Sequence, residues 1–390
     1  MAIPRLRRYS GPAFLSYGFR PFFFLGSLYA ALSILLWLPI YAGELQTHSL
    51  FVPVDWHIHE MLFGYLPAIV TGFLLTAIPN WTGRLPVQGL PLLALVVLWL
   101  AGRAAVFFSA DIGWEAAAVI DGSFLLAVAA AAAREIVAGR NWRNLKVLPP
   151  LVVLASANGA FHIEAHVLGM SDISRRLGMA AAILLISLIG GRIIPSFTRN
   201  WLVRENPGRL PAPFDRFDIG SIFISAIGLG AWTFAPNNGV SGLLLGAAAI
   251  GQAWRLSRWA GDRTLRDPLV LILHLAYALV PLGFSLISAS IFLPAIPVAA
   301  GLHAFGAGAV GSMTIAVMAR ATLGHTGRLL RAGRQTIIIF AAILIAASLR
   351  IVAAFVPYDG IVEVAGVAWA MAYAGFLLTH GVALTTAKRR

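Results

Sequence analysis

The sequence contains no cysteine. That absence excludes disulfides, thiolate-ligated haem, covalently attached c-type haem and cysteine-bound iron–sulfur clusters. Charge is scarce as well. Charged residues make up 12% of the 390 positions and hydrophobic ones 59%, whereas a soluble domain carries roughly 25% charged residues. Such a composition places the chain in lipid. No long hydrophilic stretch is present, and the longest loop is expected over 197–216. The arginines of the first eight positions lead into a full apolar run with no cleavage site, so no removable signal peptide is expected. The net charge of +13 sits in short clusters between apolar runs. It forms no stripe with interleaved aromatics, which argues against a nucleic-acid partner.

What is present is a series of apolar runs of roughly 18–25 residues, each long enough to cross a ~30 Å hydrocarbon core. They fall near 21–42, 57–79, 88–108, 112–134, 147–168, 174–196, 217–235, 240–258, 268–290, 296–319, 334–356 and 360–382. The expected fold is an all-α polytopic membrane protein of about twelve transmembrane helices, forming one integral membrane domain over 1–390. Pro39, Pro67, Pro149, Pro195, Pro281 and Pro357 fall at or inside spans, where neighbours must satisfy the freed backbone groups. Of the 29 Lys and Arg, only Arg175 and Arg176 fall in outside loops, and Arg103, Arg192 and Arg350 lie within spans. The remainder, from Arg5, Arg7 and Arg8 to Lys388, Arg389 and Arg390, share the side of the N terminus. This bias predicts that both termini are cytoplasmic.

Ionisable groups inside a membrane are costly and so are functional candidates. The nine histidines fall at two depths. His48, His57, His59, His162, His166 and His303 lie toward the outer face; His274, His325 and His380 lie toward the inner one. Imidazole suits haem iron and copper. His162 and His166 are four residues apart and share a helix face, whereas His57 and His59 point apart on a regular helix. A solvated interfacial histidine is the plainer reading for His48, His166 and His380. Arg103, Asp121, Glu164, Arg350 and Glu363 lie in the outer halves of spans. Arg103–Asp121 and Arg350–Glu363 are plausible neutralising pairs. Alternatively the arginines hold haem propionates, with Glu60, Asp121 or Glu164 carrying protons. The chain also echoes itself. His59, Gly64, Ala77, Thr82, Gly83, Arg84 and Leu85 recur at the same spacing as His303, Gly308, Ala321, Thr326, Gly327, Arg328 and Leu329.

Several segments together resemble the NnrS family of bacterial membrane proteins. They are Gly18-Phe19-Arg20-Pro21-Phe22-Phe23, Trp56-His57-Ile58-His59-Glu60-Met61-Leu62-Phe63-Gly64, and Gly72-Phe73 through Thr82-Gly83. Further matches are Phe161-His162-Ile163-Glu164, Gly190-Gly191-Arg192 through Asn200, Leu273-His274-Leu275-Ala276-Tyr277, His303-Ala304-Phe305 and Leu323 through Arg328. The resemblance implies a twelve-span protein of the bacterial inner membrane with haem b and copper, acting in the response to nitric oxide. Carried onto this chain, it implies His57, His59, His162, His274 and His303 as metal ligands. The ending Thr379-His380-Gly381 departs from the family pattern.

The resulting expectation is a haem and copper protein that reduces or detoxifies nitric oxide near the periplasmic face, with electrons from an unidentified donor. Glu60 and His303 are the expected catalytic residues, and Arg103 and Arg350 are expected to bind cofactor. The rival readings are a non-catalytic sensor or scavenger of nitric oxide, and a twelve-span transporter or metal-handling protein.

Overall fold

The computed structural model describes residues 9–356 and 358–387. Arg5, Arg7, Arg8, Pro357, Lys388, Arg389 and Arg390 lie outside them. Among the described residues all regular elements are helical. The long helices are α1 (Phe19–Tyr41), α2 (Pro53–Thr82), α3 (Leu90–Phe107), α4 (Trp114–Ala138), α5 (Leu148–Leu168) and α6 (Ile173–Glu205). They continue as α7 (Arg216–Phe234), α8 (Gly239–Ser257), α9 (Pro268–Phe292), α10 (Val298–His325), α11 (Arg334–Val352) and α12 (Asp359–Thr385). Eleven helices among the described residues are long and apolar enough to cross a membrane. The protein is therefore a multi-pass membrane protein. The helix outside that set is α8, which has the length, at 19 residues, but carries Gln252, Trp254 and Arg255 near its end.

Helix bounds follow the apolar runs closely, with one clear departure. The loop expected over 197–216 begins later, because α6 continues through Pro195 to Glu205. The apolar run stops at Pro195, but no residue from Ser196 to Glu205 breaks a helix. The stop comes with Pro207 and Gly208, whose φ of 141° suits glycine alone.

The chain packs as two units: residues 1–178, 321–329 and 373–390, and residues 179–320 and 330–372. In the first unit α1 lies close to α2. A Cβ on Gly72 would come 2.8 Å from the Phe23 ring, and one on Gly18 2.5 Å from Leu75 Cβ. Arg20, 4% exposed, donates from Nη1 to the carbonyls of Ala383, Leu384 and Thr386 at 3.1, 3.0 and 2.6 Å. A cation is thus set on the carbonyl end of α12, where the helix dipole favours it.

The second unit is organised around a buried ion pair. Arg255 Nε donates to Asp218 Oδ1 at 2.7 Å, and Nη1 donates to the Ser187 carbonyl at 2.8 Å and to the Tyr277 hydroxyl at 2.9 Å. Tyr277 in turn donates to Gln252 Oε1 at 2.6 Å. Gly190 and Gly191 make room for this arrangement. A Cβ on Gly191 would stand 1.9 Å from Arg255 Nη2. Gly191→Ala is therefore expected to displace the guanidinium and lower stability by about 3 kcal/mol or more. Thermal unfolding of the detergent-solubilised protein measures it, and an unchanged midpoint contradicts it.

The internal echo is one of local structure as well as of residues. Immediately after His59, α2 widens into a π-helical turn over Glu60–Tyr65, and immediately after His303, α10 does the same over Ala304–Val310. Pro67 has no N–H to close the regular ladder onto the Phe63 carbonyl, whereas the second copy carries Gly306 and Gly308. Both copies end at a left-handed glycine, Gly83 (φ 77°) and Gly327 (φ 75°). The helices that follow also match in register: α3 with α11 and α4 with α12.

Candidate metal centre

The π turn of α2 shapes the first unit's polar core. His59, on the turn's leading edge, and Glu60 are both buried, at 0% and 1% exposure. Arg103 enters from α3, Asp121 from α4, and Asn158 and His162 from α5; all are buried. Small residues permit the approach. A Cβ on Gly64 would lie 2.5 Å from Arg103 Nη1, and one on Gly102 would lie 3.0 Å from Asp121 Oδ1.

Arg103 bridges the two carboxylates. Its Nη1 donates to Glu60 Oε2 at 2.5 Å, and its Nη2 donates to Asp121 Oδ1. The remaining oxygen of each carboxylate faces histidine. His59 Nδ1 meets Glu60 Oε1 at 3.1 Å. Asp121 Oδ2 lies 3.2 Å from His59 Nε2 and 3.2 Å from His162 Nε2. Asn158 Oδ1 lies 2.9 Å from His59 Nε2. Tyr29 donates its hydroxyl to Glu60, and Trp99 donates Nε1 to the Gly64 carbonyl at 2.9 Å, pinning the turn.

This arrangement suits a cation. His59 places Nδ1 against Glu60 and Nε2 against the Asp121 and Asn158 oxygens, all acceptors, so Nε2 is set to carry a proton or to bind a metal cation in its place. The ligand atoms of His59, Asp121 and His162 lie within 4.8 Å of one another, so one metal ion can be shared among them. Imidazole and carboxylate together suit first-row divalent metals, copper included. The contact from Glu60 to His59 is the outer carboxylate–histidine link found at such centres. A haem does not fit here. The His59 and His162 ring centroids are only 5.0 Å apart, Asp121 occupies the space between their nitrogens, and Phe51, Phe63 and Phe161 pack around the rings at 5.0–5.3 Å.

The other expected site residues have partners of their own. His57 turns away from His59 and stacks on Trp37 at 4.6 Å. His166 stacks on Trp114 at 4.5 Å, so the helix face it shares with His162 is not a joint ligand face. Glu164 does not face the cluster; it accepts from the backbone of Ile173 and Ser174 at 2.8 Å, capping the start of α6. His274 and His303 belong to the second unit. His274 Nδ1–H donates to the Val270 carbonyl at 3.1 Å, with Nε2 3.3 Å from Thr198 Oγ1. His303 Nδ1–H donates to the Ala299 carbonyl at 2.7 Å, which leaves Nε2 as the nitrogen without a proton in the neutral ring. Arg350 is near enough to act on His303 electrostatically.

Two members of the cluster were missed by spacing alone. Asp121 is expected from sequence as an ion-pair partner or proton carrier, and it is the atom-level meeting point of both imidazoles. Asn158 raised no signal at all, although it stands four residues before His162 and hence on the same helix face.

The sequence pattern of the NnrS protein family matches residues 13–388. The chain belongs to the NnrS family. No curated protein matches it. The match takes in every residue of the buried cluster and both copies of the internal echo, so these features lie inside the NnrS region of the chain.

Proposed function

We propose that this NnrS protein acts on nitric oxide at a metal centre formed by His59, Asp121 and His162, as an inner-membrane protein with twelve spans and cytoplasmic termini. The observation that carries the reading is the convergence of two imidazoles and a carboxylate at one buried point. Family membership supplies the nitric oxide context. The charge bias of the loops supports the orientation. The contact of Arg20 at the start of α1 with the end of α12 supports termini on one face, hence an even number of crossings.

A bound copper ion would supply the redox change that conversion of nitric oxide requires. Each residue of the chain then has a task. His59 and His162 hold the metal, with Asp121 between them, and Glu60 orients His59 through Nδ1. Arg103 holds both carboxylates in place. The phenylalanines exclude water. Haem b, expected from the resemblance, needs ligands elsewhere, and His303 is the candidate because its Nε2 is presented by the Ala299 contact, with Arg350 nearby for a propionate. The electron donor is a separate partner.

Nitric oxide loss in reconstituted vesicles with an added reductant tests this reading. The parent protein is expected to consume nitric oxide, and Asp121→Ala is expected to fall at least 100-fold, as for a group required by the reaction. Equal rates in the two proteins would reject it. A parent that binds nitric oxide without turnover would instead make the site a sensor or scavenger.

A further inference from the structure

We infer that Asn158 is a fourth ligand, and that the centre holds one divalent first-row cation in an N2O2 donor set without a porphyrin. The donors are His59 Nε2, His162 Nε2, Asp121 Oδ2 and Asn158 Oδ1. This inference rests on the metal centre proposed above and assigns its coordination.

The amide gives the first argument. Asn158 is fully buried, and its Oδ1 lies 2.9 Å from His59 Nε2, the nitrogen that also meets Asp121 Oδ2 at 3.2 Å. Its Nδ2 has no hydrogen-bond partner. An orphaned amide N–H in a buried setting costs about 1–3 kcal/mol, so the orientation is held by what the oxygen meets, which is His59 Nε2 when protonated or a cation bound there. Turning the amide over would instead aim N–H groups at the metal position.

Charge gives the second. Glu60 and Asp121 are two carboxylates and Arg103 is one guanidinium. With neutral imidazoles the buried cluster carries one negative charge in excess, which is balanced by a proton on His59, placed between Glu60 and Asp121, or by a metal cation in that proton's place. The second copy of the echo makes the contrast. Positions matching Glu60, Arg103 and Asp121 are Ala304, Ala347 and Ala365, so His303 keeps the imidazole without any acidic cage. The four donors come from α2, α4 and α5, so three helices must be in register before the site exists. Four nitrogen and oxygen donors complete a four-coordinate site, tetrahedral for zinc and tetragonal for copper(II).

Cobalt(II) titrated into the metal-free, full-length protein in detergent tests the assignment, because a four-coordinate ion absorbs strongly in the visible and a six-coordinate one weakly. The parent protein is expected to bind one cobalt with strong visible bands. Asn158→Leu is expected to bind at least 10-fold more weakly and to lose those bands. Asn158→Asp, which offers an oxygen in the same place, is expected to retain cobalt with shifted bands. Parent-like affinity and spectrum in Asn158→Leu would overturn the assignment. Should that variant not fold, an Asn158→Asp spectrum identical to the parent's would overturn it equally. Release of a bound porphyrin by Asn158→Asp would overturn the porphyrin-free reading. A parent that binds cobalt in this way but leaves nitric oxide untouched sinks the proposed function and leaves the coordination standing.

Discussion

His59→Ala is expected to lower the affinity for the bound metal more than 100-fold, because losing even an outer partner of a ligand costs roughly 10–100-fold. His59 is the hub of the cluster, touching Glu60 through Nδ1 and both Asp121 and Asn158 through Nε2. Nearby His57 provides the control. It sits on the same helix and stacks on Trp37 instead, so His57→Ala is expected to keep metal content within a factor of about two. Metal content per chain after purification, measured by mass spectrometry of the element, compares the two. Equal loss in both variants would mean that the resemblance's five-histidine ligand set, rather than the buried cluster, describes the centre.

Arg103→Leu is expected to be the most damaging single change to folding. The guanidinium bridges Glu60 and Asp121, both about 1% exposed, as a permanent cation. Removing one partner of a buried ion pair costs about 3–5 kcal/mol, because the other charge is left without compensation. The sign of the rescue follows from the same physics. Arg103→Leu combined with Glu60→Gln removes one negative charge along with the positive one, and is expected to recover part of the loss. A double variant less stable than Arg103→Leu alone would show that Glu60 contributes through packing or through His59 more than through the ion pair. Unfolding midpoints of the parent, Arg103→Leu, Glu60→Gln and the double variant in one detergent make the comparison.

Much of the fold could be read from the sequence. Apolar length decides whether a helix can cross lipid, and the runs near 88–108, 268–290 and 334–356 coincide with α3, α9 and α11 to within a few residues. What apolarity cannot report is where a helix ends once it has left the lipid, which is why α6 outran its apolar run and shortened the loop after it. The π turns were hidden too, although the echo that contains them was visible; a widened turn leaves no mark on hydrophobic periodicity, and only Pro67 and the glycines hint at it.

The site was half legible. His59, His162, Glu60 and Arg103 stood out because each is a costly group in a span, and the structure sets all four in one cluster. Separation in sequence concealed the rest. Asp121 comes from a different helix than any histidine, so no spacing rule links it to them, and its pairing with Arg103 looked like a sufficient explanation. Asn158 carries no charge and so raised no question about burial. Conversely, His57 entered the expected ligand set through the resemblance and His166 shared a helix face with His162, and each ring stacks on a neighbouring indole. Spacing shows which side chains share a face; only packing shows what lies opposite that face.

X-ray absorption at the edge of the metal bound to the purified full-length protein tests the central claim most directly. The account predicts an ion with two imidazole nitrogens and oxygen donors at about 2.0–2.2 Å, and no porphyrin signature at that metal. A metal whose scattering shows four coplanar pyrrole nitrogens, or whose imidazole count is unchanged in His162→Ala, would contradict it.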